Sequence, residues 1–182
     1  FLLSVMLFHF SNAAMLPLLS QQLFLANAER GFEFAAMAVI TAQLSMVLSA
    51  CAAGWLVPRI GTKPLFILAL SAIPIRGFII VLLLTYYNNM PGSNALLLAT
   101  QILDGLAGGI FGVLLVLISE NLARGSGRFA MLVGLAKTAE GVGASFSNLV
   151  GEYIAEVSGY QAAFLVLSLA SLVPIFLYGV CM

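Results

Sequence analysis

The chain has 182 residues, of which 62% are hydrophobic and only 8% charged, and its 7 Lys+Arg against 7 Asp+Glu leave a formal net charge of +0. Soluble domains carry about 25% charged residues, so composition excludes a water-soluble domain. Charge balance likewise excludes the basic excess of a nucleic-acid binder or an electrostatically held peripheral protein.

One crossing of a bilayer takes roughly 20 apolar residues, so the length suits about six or seven helices and leaves no room for a sizeable extramembrane domain. Breaking the hydropathy at charged and Gly/Pro/Asn-rich clusters predicts spans over about 1–25, 35–57, 64–86, 95–120, 129–151 and 160–181. Helices are expected rather than a barrel, because barrel strands alternate polar and apolar positions, whereas Phe78 to Leu84 is apolar on both parities. The chain starts at Phe1 and apolar runs reach both ends, so a fragment of a longer protein is expected.

In the first span, no basic residue precedes the Asn12-Ala13-Ala14 stretch and the apolar pattern resumes through Phe24, which reads as a membrane helix rather than a signal peptide. Its polar residues are His9, Asn12 and Gln22; Gln43 is the main strongly polar residue of the second span. Hydrogen bonding in a polar cavity would explain them, with His9 as a helix-to-helix partner or a proton carrier. Pro17, Pro74 and Pro174 fall inside spans and are expected to bend them. Cys51 and Cys181 lie in apolar stretches and form neither a disulfide framework nor a thiol metal cluster.

The second and fourth connections hold Arg59, Lys63, Arg124 and Arg128, against Arg30 alone in the other three. The positive-inside rule therefore puts those two loops, and both ends of the chain, in the cytoplasm.

Charged side chains inside spans cost roughly 2.5 to 3.5 kcal/mol at mid-depth, so they must face protein or water. At about 1.5 Å per residue, Arg76 lies ~18 Å from the cytoplasmic edge of the third span and Asp104 ~15 Å from the opposite edge of the fourth. In a ~30 Å core these levels coincide. An Arg76–Asp104 pair is expected, either as a staple between adjacent helices or as a proton-linked latch, and Gln101 stands one turn from Asp104. Lys137 and Glu140 share one face of the fifth span and either neutralise each other within a packed interface or bind a charged solute or proton. Small residues mark close helix contacts: Gly105, Gly108, Gly109 and Gly112 in the fourth span, and Gly134, Gly141, Gly143, Ala144, Ser145 and Ser147 in the fifth.

The second connection reads Gly54-Trp55-Leu56-Val57-Pro58-Arg59-Ile60-Gly61-Thr62-Lys63. It resembles the loop signature of the major facilitator superfamily, G-x-L-x-D-R-x-G-R-K, at Gly54, Leu56, Arg59, Gly61 and Lys63. Pro58 replaces the acid and Thr62 a basic residue, as in the degenerate copy of that family's C-terminal half. The run from Gln101 to Gly109 is similar to the tenth helix of bacterial-type members. The resemblance implies an all-α membrane protein: a six-helix C-terminal half bundle built from two inverted three-helix repeats, with the N-terminal half missing. It further implies a secondary active transporter moving a small solute by alternating access; the inferred depth of Glu140 and Asp104 makes either the candidate for proton coupling.

On that resemblance the substrate-binding or proton-coupling candidates are Lys137, Glu140, Asp104, His9, Asn12, Gln43 and Gln101. The expected partners are a small-molecule solute, protons, the lipid bilayer and the absent N-terminal half, with no nucleic acid. No cofactor or metal is implied. The plasma membrane is the expected location, an organelle membrane the alternative. Among rivals, an intramembrane enzyme lacks the motif, since Phe146 and not glycine follows Ser145, and one histidine with scattered carboxylates offers no metal-ligand spacing. No phosphate-binding loop supports ATP hydrolysis, and no filter-like loop supports a channel. A transporter-like sensor or scaffold stays open on composition.

Overall fold

A computed structural model describes residues 1–26, 29–87 and 92–181, with residues 180 and 181 described in backbone alone. Residues 88–91 of the uncharged connection expected over 87–94 therefore lie outside the described residues, as does the Cys181 side chain. Among the described residues every regular element is helical: α1 (Leu2–Asn12), α2 (Met15–Ala26), α3 (Gly31–Ile60), α4 (Thr62–Tyr86), α5 (Ser93–Ala99), α6 (Gln101–Ala123), α7 (Phe129–Ser158), α8 (Tyr160–Ala170) and α9 (Leu172–Cys181). This suits a chain whose backbone must satisfy its own hydrogen bonds without water.

Five segments are long and apolar enough to cross a membrane: Leu2–Ala26, Gly31–Ile60, Thr62–Tyr86, Ser93–Ala123 and Tyr160–Gly179. The fifth expected span, α7, has the length at 30 residues but is not among them. It carries Lys137, Glu140, Glu152 and Glu156. The last two were expected in a connection, but the helix runs on through Ser158.

Three of the apolar segments are interrupted. α1 stops at Asn12, beside Ala13, whose carbonyl loses its helical donor because Pro17 has no N–H. The backbone N–H of Ala14 instead donates to Ser147 Oγ on α7 at 3.0 Å. α8 stops at Ala170, four residues before Pro174, for the same reason. α4 runs unbroken through Pro74. The break at Thr100, between α5 and α6, has no proline; there Thr100 Oγ1 donates to Leu97 O at 2.6 Å and accepts from Gln101 Nε2 at 3.2 Å. Such side-chain bonds compete with the helical ladder.

The bundle closes through small residues. A Cβ on Gly105 would stand 2.3 Å from Ala42 O, and one on Gly109 2.3 Å from Met46 O, so α6 lies directly against the α3 backbone. Ser49 Oγ adds a bond to Gly105 O at 2.8 Å, and Ser45 Oγ one to Ile102 O at 2.8 Å. On the other side, a Cβ on Gly143 would stand 2.2 Å from Met6 O, bringing α7 against α1. α4 packs against α6 and α8 and buries Phe66, Leu70, Ile73 and Ile80 in the core.

Both 30-residue helices end alike. A single glycine follows each, Gly61 at φ 82° and ψ 175° after α3 and Gly159 at φ 89° and ψ 163° after α7, and the next helix starts at once. Positive φ at this extended ψ is open to glycine and strained for any other residue. Of the loop-signature residues, Gly54, Leu56 and Arg59 thus lie on α3, Gly61 is the joint, and Lys63 starts α4. The Arg59 guanidinium lies 3.6 Å from the centre of the Trp55 ring and donates to Trp55 O.

Candidate functional site

Two polar clusters occur at neighbouring levels of the bundle. The first is enclosed. Arg76 on α4 is 0% exposed, and its Nη1 lies 2.7 Å from Asp104 Oδ1 on α6. The same Nη1 donates to Asn12 Oδ1 at 3.1 Å, and Nη2 donates to Gln101 Oε1 at 2.8 Å. Asn12 Nδ2 donates to Asp104 Oδ1 at 2.9 Å, which closes the ring. Two helix ends supply these groups: Asn12 is the last residue of α1 and Gln101 the first of α6. A buried ion pair needs such additional hydrogen bonds to offset its desolvation. Arg76 Nε is left without a partner.

The second cluster opens outward. On α7, Lys137 Nζ donates to Glu140 Oε2 at 2.7 Å, one turn apart on the helix. His9 on α1 brings its Nε2 to 3.6 Å from the same oxygen. Side-chain exposure falls from 61% at Lys137 to 29% at Glu140 and 20% at His9. The three face a cleft of about 280 Å³ whose other walls include Phe8, Met46 and Phe111. Phe8 stacks on Phe111 with ring centres 3.8 Å apart, and the His9 ring stands edge-on to Phe111 at 5.5 Å. His9 Nε2 itself has no hydrogen-bond partner.

The structure thus divides the seven binding or coupling candidates. Asn12, Gln101 and Asp104 join Arg76 in the enclosed cluster, and His9, Lys137 and Glu140 line the cleft. Gln43 is exposed on α3 and belongs to neither group. Met46, Phe111 and Ser147 were not singled out for the site. Phe111 lies seven residues, two turns, beyond Asp104 and so on the same face of α6, the one signal that pointed to it. Among the described residues no group of three or more His, Cys, Asp or Glu is placed to hold a metal ion.

No family model matches the chain. It is similar to two curated proteins of Mycobacterium tuberculosis, each an uncharacterized MFS-type transporter, one from strain CDC 1551 / Oshkosh and one from strain H37Rv. Each is 37% identical over 179 residues, 98% of this chain and 41% of the relative. The chain therefore spans less than half the length of the relatives it matches. This similarity bears out the resemblance to the major facilitator superfamily that the sequence carries. Together with the apolar segments, it marks an integral membrane protein related to proteins named as transporters.

Proposed function

We propose that this chain is the C-terminal six-helix half of a major facilitator superfamily secondary transporter, and that it moves a small solute by alternating access against an N-terminal half. The spans would be α1–α2, α3, α4, α5–α6, α7 and α8–α9, with both ends cytoplasmic and the plasma membrane as location. The positions of Arg59, Lys63, Arg124 and Arg128 support that orientation. The inverted three-helix repeats are supported by a recurrence: the broken segments α1–α2 and α5–α6 are each followed by a 30-residue helix, one glycine of positive φ, and a further helix.

The observation that carries the solute site is the contrast between the two clusters. Arg76 is sealed and engaged through both Nη atoms, as a staple should be, whereas Lys137, Glu140 and His9 line an open cleft. Charges kept at membrane depth beside a cavity are a functional site by default. The lower apolarity of α7 has the same explanation, since a helix bordering a wet cleft need not be apolar all round. Proton coupling is assigned to Glu140, the carboxylate of the open cleft.

The test uses the full-length protein in liposomes. A cysteine replacing Val133, on the cleft wall, in a background without other cysteines, should react with a water-soluble thiol reagent from either side of the membrane. Inaccessibility from both sides would overturn alternating access at this cleft.

A further inference from the structure

The charged cleft continues into an apolar one. A hollow of about 450 Å³ between α3 and α6 shares Met46, Gly108, Gly112 and Val116 with it, and carries Ala50 and Val113 but no ionisable side chain. The glycines of α6 fall into two groups here. Gly105 and Gly109 are required by the α3 backbone, but a Cβ on Gly112 would meet nothing within 4 Å. No close helix approach therefore requires a glycine at 112, and its missing side chain leaves open the floor that the two hollows share.

At the charged end, hydrogen-bonding capacity remains on the cation. An ammonium has three donors, and one of those of Lys137 is taken by Glu140. Glu140 Oε2 is already approached from two sides. Lys137 is also the most exposed of the three groups. We infer that the site takes an amphipathic organic anion, its carboxylate-type head on Lys137 and its apolar body in the hollow between α3 and α6. This rests on the transporter reading and adds the substrate class to it.

Full-length protein in liposomes is tested for uptake of a naphthalene carboxylate, a naphthalene-bearing primary amine of similar bulk, and acetate. The bulky carboxylate should be taken up in preference to both others. Lys137→Gln should weaken its apparent affinity roughly tenfold to a hundredfold, the range for hydrogen bonds to charged groups. Gly112→Leu should weaken it roughly tenfold or more by filling the shared floor, and Gly112→Ala less, while thermal melts show both variants folded. Preference for the amine or for acetate, or carboxylate uptake indifferent to Lys137→Gln or to Gly112→Leu, overturns the inference and leaves the transporter reading standing. If none of the three solutes enters but the Val133 position is reached from both sides, the anion assignment alone falls. If that access is also missing, both fall.

Discussion

His9 and Lys137 converge on one atom. Oε2 of Glu140 stands 3.6 Å from His9 Nε2 and 2.7 Å from Lys137 Nζ, so a single carboxylate oxygen of α7 faces both a lysine of its own helix and the imidazole of α1. The arrangement differs in kind from the Arg76 cluster, where each of the two guanidinium Nη atoms has a neighbour in a closed ring. A shared and half-open carboxylate can change partners at small cost, because its side chain is 29% exposed. A sealed one cannot.

Glu140→Gln keeps the shape and one acceptor oxygen but removes the charge that Lys137 and His9 share. Solute uptake by the full-length protein should fall at least tenfold. The melting transition should move by no more than about 1 kcal/mol, as expected for a partly exposed ion pair. Initial uptake rates and thermal melts in detergent measure the two effects separately.

Arg76→Met leaves Asp104 enclosed without its counter-charge and should destabilise the protein by about 3–5 kcal/mol. If the ion pair is a staple, as proposed, Arg76→Met combined with Asp104→Leu should recover a good part of that loss and retain uptake. Recovery stays incomplete, since Asn12 and Gln101 also lose partners. A double variant that is folded yet transports nothing would make Asp104 part of the transport cycle.

Ser147→Ala removes the acceptor for the Ala14 N–H at the break between α1 and α2. A buried donor left unpaired costs about 1–3 kcal/mol, and thermal melts should register it. Ser147→Thr keeps the hydroxyl and should cost less.

Gly109→Ala drives a Cβ toward backbone 2.3 Å away, which neither helix can yield without moving. About 1–3 kcal/mol of destabilisation is expected, the usual cost of overpacking. Gly134→Ala, whose Cβ would meet nothing within 4 Å, should be neutral or stabilise by up to about 1 kcal/mol through helix propensity. Parallel melts of the two variants make the comparison.

Local relations were legible in the sequence and relations between distant segments were less so. Lys137 and Glu140 are three residues apart, which on any helix means one face. Arg76 and Asp104 follow from counting rises along neighbouring helices, an argument that needs only approximate span ends. His9 reaching Glu140 depends on how far α1 slides along α7. That register is set by Gly143 against Met6 O, a contact no periodicity encodes. Gln101 and Asn12 looked like cavity residues, yet helix ends beside them turn both toward Arg76. The break at Thr100 had no proline to announce it. Glu152 and Glu156 suggested a loop because charge was taken to end the span, but helices can outrun the hydrocarbon and finish in water.

One residue of chain reaches no more than about 3.6 Å, and a single residue, Gly61 or Gly159, is all that separates α3 from α4 and α7 from α8. Neither joint has slack. The two rods of each pair are held end to end, so a push on Arg59 or Lys63 crosses the joint as a pivot about Gly61 rather than as slippage of one member along the other. Lengthening either joint by two or three flexible residues would uncouple the pair and let the force dissipate locally.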